Sequence, residues 1–202
     1  MTINLYNRDC MQALREMSDN QYDLAIVDPP YGIKRFQQKT RVDRTGKINK
    51  WDTKPSAEYF EQIQRVSKNQ IIWGANNFEL PPSEYFLVWN KEQPIDNFSS
   101  LEYAWVSPNL KRPAKMFTYS IHKLMGKKLH PTQKPVELYQ WILSRYAKQG
   151  DRILDTHLGS GSIALACHSM GYSLDAYEID AEYFAAASAR LHEHQRQLRL
   201  FI

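Results

Sequence analysis

Short apolar runs recur along the first half of the chain, and each is followed by a polar residue, a proline or a glycine, which is typical of buried strands. We therefore predict strands over residues 3–6, 23–27, 70–73, 85–89 and 101–106. Between them, apolar residues recur at helical spacing at Met11, Leu14 and Met17, and again on one face of residues 56–66. This mixture of strands and helices predicts an α/β protein.

From residue 131 onwards the predicted helices and strands alternate regularly. We predict helices over 135–148, 162–170 and 181–200, and strands over 152–155 and 173–177. Gly150 and Gly171 end two of these helices, and Glu178 stands at the end of the last strand. Strand, Gly-rich turn, helix, second strand and acid together make one half of a nucleotide-binding α/β sheet.

The composition is that of a globular protein of one domain, which we place over residues 1–202. With 43% hydrophobic and 24% charged residues and a mean hydropathy of −0.59, the chain is expected to be soluble and folded. No apolar run approaches the roughly 18 residues of a membrane span, and the start lacks an export signal, so we expect a cytoplasmic protein. Cys10 and Cys167 form neither a disulfide framework nor a zinc motif, and we predict no metal.

The charge is unevenly distributed, although the net value is only +4. Residues 34–50 hold seven Lys or Arg against one acid, and residues 106–134 hold seven and no acid. Either run alone is better explained as a solvated face. Two such runs, interleaved with aromatic side chains and methionine, favour a polyphosphate partner. We interpret residues 107–130 as a short basic insertion, the candidate segment for recognising such a partner, and residues 33–54 as a basic, mobile loop.

The Gly-rich turn runs from Asp155 to Ala164. Its glycines allow a ligand to approach the backbone where the next helix begins. Glu178 stands at the tip of the adjacent predicted strand, where a carboxylate can accept hydrogen bonds from both hydroxyls of a ribose. No Lys follows the glycines, which excludes a nucleoside-triphosphate loop. A dinucleotide site and a tight turn that binds nothing both stay open.

The tetrapeptide Asp28-Pro29-Pro30-Tyr31 follows a buried strand and therefore stands at the ligand edge of the predicted sheet. A proline-rich strand stop with a surface tyrosine is the plainer interpretation. The chemical one accounts for the residues in turn: Asp28 accepts one exocyclic N–H, the Pro29 carbonyl accepts the second, and Tyr31 stacks on an unpaired base. Holding both hydrogens localises the nitrogen lone pair, so the nitrogen can attack an electrophilic methyl group.

Four motifs together resemble the S-adenosylmethionine-dependent DNA amino-methyltransferases of the beta group. They are Asp28 to Tyr31, His130-Pro-Thr-Gln-Lys-Pro135, Asp155 to Gly161, and Glu178-Ile-Asp-Ala-Glu-Tyr183. The resemblance implies a circularly permuted Rossmann-like sheet, mostly parallel with an antiparallel hairpin and with helices on both faces. In that fold the first strand lies beside the last two.

The resemblance also implies roles for individual residues. Asp28, Pro29, Pro30 and Tyr31 would act on the target base. Lys134 and Thr132 would face the methionine carboxylate, and Asp9 the adenine amino group. The implied cofactor-binding set is Asp9, Cys10, Asp28, Thr132, Lys134, Asp155, Thr156, Gly159, Ser160, Gly161, Glu178 and Ile179. Thr156-His157 departs from the Pro-Phe more common in the family.

The implied substrate is double-stranded DNA, with the base flipped into the cleft. The basic residues expected to contact DNA are Lys34, Arg35, Lys39, Arg41, Arg44, Lys47, Lys111, Arg112, Lys115, Lys123, Lys127 and Lys128. The Asp at position 28 favours adenine N6 over cytosine N4, which stays open as the alternative. A nicotinamide-dependent oxidoreductase is a more distant alternative. A homodimer and a partner restriction enzyme are not decided by the sequence.

Overall fold

The computed structural model describes residues 1–32, 53–124 and 129–199. Its strands are β1 (Ile3–Asn7), β2 (Leu24–Val27), β3 (Gln70–Trp73), β4 (Phe86–Asn90), β5 (Leu101–Val106), β6 (Lys115–Thr118), β7 (Arg152–Asp155) and β8 (Ser173–Glu178). Its helices are α1 (Cys10–Glu16), α2 (Ala57–Val66), α3 (Val136–Tyr146), α4 (Ser162–Met170) and α5 (Ala181–Arg199). None of the described helices is long and apolar enough to cross a membrane.

The eight strands form one sheet in the order β1-β8-β7-β2-β3-β5-β4-β6. The first five strands in that order are mutually parallel, β5 is antiparallel to both β3 and β4, and β6 is parallel to β4. The mostly parallel sheet with an antiparallel hairpin is thereby confirmed. β1 pairs with β8, which pairs with β7, as the permuted order requires.

The core lies on both faces of the sheet, and β2 illustrates why its sequence is apolar throughout. Side chains alternate along a strand. Leu24 and Ile26 belong to a cluster with α3, α4 and α5, whereas Ala25 and Val27 belong to a second cluster with α1 and α2. A strand covered on both faces has no solvent side, so no polar alternation is left in it.

Residues 107–130 differ from the sequence interpretation in one respect. They contain β6, which extends the sheet as its edge strand beside β4. Lys115 and Met116 are exposed and only Phe117 packs against the core, so the alternation that marks a strand is absent from the sequence. Of the expected loop over 33–54, residues 33–52 lie outside the described part of the chain.

The functional edge follows from this topology. β1, β2, β7 and β8 are parallel, so their carboxyl ends meet at one edge of the sheet. Asp9, Asp28, Thr156 and Glu178 lie at or just beyond those ends. Four segments that are far apart in the sequence are thereby brought to one cleft.

Candidate active site

A cleft opens at this edge, and most of the predicted site residues line it. They are Asp9, Cys10, Asp28, Pro29, Pro30, Tyr31, Thr132, Lys134, Thr156, Gly159, Ser160, Glu178 and Ile179. Asp155 and Gly161 lie behind its wall. Asp155 accepts a hydrogen bond from the His157 amide at 3.0 Å, and Gly161 begins α4 at a φ of +75°, where a Cβ would lie 3.1 Å from that of Ala187. These two residues therefore shape the turn from behind.

The glycine turn folds directly onto the tip of β8. The Gly159 amide donates to Glu178 Oε2 at 2.9 Å, and the Asp180 amide donates to Oε1 at 3.0 Å. Burial raises the pKa of Glu178, although these backbone donors oppose the effect. The carboxylate predicted to accept ribose hydroxyls is thus fixed in position by the turn that precedes α4.

The end of β1 lies beside the tip of β8, because Asn7 and Glu178 are paired in register. Asp9 caps α1, because its Oδ1 accepts from the Met11 amide at 2.7 Å. Burial and the neighbouring Asp9 raise the pKa of the Cys10 thiol to about 12, so this cysteine stays protonated and unreactive. Ile179 also lines the cleft and is 67% exposed, so it adds apolar surface to this part of the cleft.

Thr156 and His157 form a hydrogen-bonded series with Tyr59 of α2. Thr156 Oγ1 lies 2.7 Å from the Tyr59 hydroxyl and 2.9 Å from His157 Nδ1, and the Tyr59 and His157 rings meet edge to face at 5.5 Å. Burial lowers the pKa of His157 to about 4, so the imidazole is neutral at physiological pH. The polar pair that departs from the family motif is therefore satisfied within the cleft wall.

The Asp28 carboxylate is engaged at both oxygens. The Tyr31 hydroxyl donates to Oδ1 at 2.7 Å, and the Lys134 ammonium is paired with Oδ2. Lys134 also pairs with Glu102 Oε2 at 2.9 Å, and Glu102 Oε1 pairs with Lys91 at 2.6 Å. Burial raises the pKa of Asp28, an effect that Lys134 opposes and Glu102 reinforces. The pKa of Lys134 is raised, since its two carboxylate partners outweigh burial.

This network differs from the sequence interpretation at two points. Lys134, expected to face a methionine carboxylate, is directed at the two protein carboxylates instead. Tyr31, expected to offer an open stacking face, lies over the backbone of Gly74, where a Cβ would come within 2.0 Å of its ring. Its hydroxyl is held by Asp28, and Phe78 meets its ring edge to face at 6.1 Å.

Several residues that line the cleft were given no role from the sequence, although five of them belong to the motifs named there. The further lining residues are Arg8, Thr53, His130, Gln133, Tyr139, His157, Leu158 and Tyr183. At the rim, His130 Nδ1 lies 3.0 Å from the Thr132 hydroxyl, and its ring meets that of Tyr183 at 4.4 Å. Behind the cleft, Glu102 interrupts a mostly apolar predicted strand, and this was the one signal that could have pointed to it.

The basic residues fall into two groups. Lys111, Arg112, Lys115 and Lys123 are exposed on or near the β6 edge of the sheet. The remaining predicted DNA-contacting residues lie outside the described ranges; they are Lys34, Arg35, Lys39, Arg41, Arg44, Lys47, Lys127 and Lys128. Within the described ranges no cluster of three or more His, Cys, Asp or Glu side chains could hold a metal ion.

The structure defines an α/β protein of the Rossmann-like class with a cleft at the carboxyl edge of its sheet. The sequence pattern of the DNA methylase family of N6 and N4 methyltransferases matches residues 60–189. The chain therefore belongs to this family, whose members are S-adenosylmethionine-dependent DNA amino-methyltransferases. This membership decides between the methyltransferase and oxidoreductase interpretations of the glycine turn.

Individual relatives are distant in sequence. Type II methyltransferase M.HinfI of Haemophilus influenzae is 22% identical over 92% of this chain and 67% of its own length. Type II methyltransferase M2.MboI of Moraxella bovis is 24% identical over 94% of this chain and 88% of its own length.

Two solved structures share the fold. The structure of the M1.HpyAVI complex with S-adenosylmethionine superposes with a TM-score of 0.64 at 20% identity, covering 94% of this chain and 100% of that one. The cytosine-N4-specific PvuII methyltransferase superposes with a TM-score of 0.63 at 14% identity, covering 93% and 86%.

Proposed function

We propose that this protein transfers the methyl group of S-adenosylmethionine to the N6 amino nitrogen of adenine in double-stranded DNA. The observation that carries the proposal is that Asp28 to Tyr31 and the glycine turn with Glu178 open onto one cleft. A base-handling motif and a cofactor-type motif that share a cleft can bring an amino nitrogen and a methyl donor together.

The donor set around the cleft fits the cofactor. Asp9 and Glu178 supply carboxylate acceptors for amino and hydroxyl groups, and the exposed Ile179 supplies apolar surface beside them. The turn at residues 159–161 would lie against the methionine part, with Thr132 at the rim as the candidate for its carboxylate. When bound, S-adenosylmethionine supplies an electrophilic methyl group. The protein's task is then to present the amino nitrogen.

Asp28 can accept a substrate N–H without giving up its present partners. An ionised carboxylate offers about four acceptor positions, and Tyr31 and Lys134 use two. With Asp28 holding one amino hydrogen and the Pro29 carbonyl the other, the nitrogen lone pair is withdrawn from the ring and is available for attack. Orientation and hydrogen bonding suffice for this role, and no strong base is required.

The DNA-facing part of the proposal depends on the exposed cations near β6. An adenine must leave the duplex to reach Asp28, which costs a few kcal/mol, and phosphate contacts offset that cost. Each phosphate neutralised adds about 0.9 to the salt dependence of binding on a log–log plot. Replacing Lys111, Arg112, Lys115 and Lys123 together by Ala should therefore flatten the salt dependence. An unchanged slope would remove this surface from the DNA interface.

The direct test is methylation of unmodified plasmid, followed by digestion to nucleosides and mass spectrometry. N6-methyladenine is the expected product, whereas N4-methylcytosine would establish the alternative substrate. Asp28→Ala should abolish transfer even at a cofactor concentration at which calorimetry shows that the variant is saturated, and Asp96→Ala, at an exposed loop position, serves as the matched control. Normal turnover by Asp28→Ala would refute the role given to this carboxylate.

A further inference from the structure

We propose that Glu102 is a positioning residue for the methyl-transfer reaction, because it shares the Lys134 ammonium with Asp28 and so keeps the Asp28 carboxylate oriented and only partly neutralised. The inference rests on the proposed function, since it concerns the same base-handling carboxylate. Glu102 itself does not line the cleft. Its influence is exerted through Lys134.

The geometry of the sheet explains why a bridging ammonium is needed. Asp28 follows β2 and Glu102 lies on β5, with β3 between them, so the two backbones are two strand spacings apart, about 10 Å. Lys134 comes from the turn before α3 and lies above the intervening strand, with Nζ 5.3 Å from the centre of the Trp73 ring. One long side chain thus pairs with two carboxylates whose backbones are separated by a whole strand.

Burial makes this network strong and specific. The Lys134 side chain is 2% exposed and those of Asp28 and Glu102 are 15% and 19% exposed, so water screens the three charges poorly. Lys91, paired with the other oxygen of Glu102, brings the four charges to a net of zero. Four buried charges that come from four separate parts of the chain are costly unless each is paired, and here each one has a partner of opposite charge.

The electrostatic consequence concerns the acceptor strength of Asp28. An ammonium paired with Asp28 alone would neutralise it, and a neutralised carboxylate accepts weakly. Glu102 draws part of that interaction away, and its own negative charge raises the pKa of Asp28. Asp28 thereby remains a stronger acceptor for the amino hydrogens of the base while Lys134 still fixes its orientation.

The test compares Glu102→Gln and Glu102→Asp with Glu61→Gln, which changes an exposed carboxylate on α2. Single-turnover methyl transfer is measured from pH 5 to 9 at saturating cofactor and DNA, together with the KM for DNA. We expect Glu102→Gln to slow transfer about tenfold with little change in KM, and to move the acid limb to lower pH because the pKa of Asp28 falls. Glu102→Asp should restore part of the rate.

Lys91→Met approaches the network from its outer end and serves if Glu102→Gln does not fold. Without Lys91, Glu102 interacts with Lys134 alone and draws its ammonium further from Asp28. The pKa of Asp28 should then rise, so the acid limb should move in the opposite direction, to higher pH. If the role of Glu102 were purely structural, Glu102→Gln and Lys91→Met would both lower thermal stability, and the acid limb of the pH–rate profile would not move in either variant.

The outcomes separate this inference from the proposed function. If the wild type methylates DNA and Glu102→Gln matches Glu61→Gln in rate and pH profile, the positioning role is wrong and the proposed function stands. A loss of thermal stability with unmoved pH profiles would likewise overturn the positioning role and leave the proposed function intact. If the wild type methylates neither adenine nor cytosine, the proposed function fails and the inference fails with it.

Discussion

The absence of a side chain at Gly74 allows the Tyr31 ring to lie where its hydroxyl can donate to Asp28. Gly74→Ala is the most direct perturbation of that arrangement. Gly74 follows β3 at a φ of +68°, and a Cβ there would lie 2.0 Å from Tyr31 Cε1 and 2.4 Å from Cζ. Atoms cannot approach so closely, so the alanine variant has to displace the ring. The displaced hydroxyl can no longer donate to Asp28 Oδ1, which it now contacts at 2.7 Å.

The magnitude follows from two costs. A non-glycine residue in the left-handed region costs about 1–2 kcal/mol. Loss of a hydrogen bond to a buried charged group costs about 1.5–3 kcal/mol. We expect Gly74→Ala to destabilise the protein by roughly 3–4 kcal/mol and to slow methyl transfer at least tenfold, because the ring is forced out of its place beside Asp28.

Gly150→Ala is the matched control. Gly150 has a φ of +95°, and an added Cβ there meets no heavy atom within 4 Å, so it carries the backbone cost alone. Urea unfolding gives the free energy of both variants, and single-turnover methylation gives their rates. Equal losses of stability in the two variants, with transfer at the wild-type rate in Gly74→Ala, would refute the argument that Tyr31 is held on Gly74 for function.

Three further predictions are checked by urea unfolding, the first two of them across pH. The pKa of His157 is about 4 when folded against about 6.5 unfolded, so the wild type should lose up to about 3 kcal/mol as pH falls through this window, and His157→Phe should not. Burial raises the pKa of Asp155 to about 7, so the wild type should lose stability as pH rises from about 4 to 7. The gain in stability of Asp155→Asn over the wild type should therefore be largest above about pH 7, and the same pH dependence in both proteins would contradict this. Tyr22→Phe removes a donor 2.8 Å from Asp175 Oδ2 and should cost about 1–2 kcal/mol at neutral pH; no change would mean that Arg152 satisfies that oxygen alone.

The central strands could be predicted because each carries its own signal, whereas the place of the first strand beside the last two was implied by the resemblance to the methyltransferase family. β3, β5 and β7 have the predicted bounds, and β2 differs by one residue. Their apolar runs are buried on both faces, and prolines, glycines or polar residues end them. β6 could not be predicted, since an edge strand with exposed Lys115 and Met116 has only Phe117 to mark its inner face.

The site residues also fall into those that could be placed from the sequence and those that could not. Residues that stand directly after predicted strands, such as Asp28 and Glu178, could be placed at the cleft, because parallel strands bring their carboxyl ends together. Tyr59 and Glu102 could not be placed, since their roles depend on how α2 and β5 pack against distant turns. A sequence pattern reports periodicity along one element and is silent about side-chain partners supplied by another.

Lys134 shows how far a motif can specify a residue without specifying its partner. Its motif predicts a cation at the start of a helix beside the cleft, and the structure has it there, 3% exposed. Whether Lys134 pairs with an external carboxylate or with Asp28 depends on Glu102. Glu102 is some thirty residues from Lys134 in the sequence, and its strand is two strands away from β2, which Asp28 follows. An ammonium directed elsewhere would leave the buried Asp28 without a cation and Glu102 with Lys91 alone, at a cost of several kcal/mol. The position of Lys134 therefore follows from burial of the acids around it, and the chemistry of Asp28 follows from the position of Lys134.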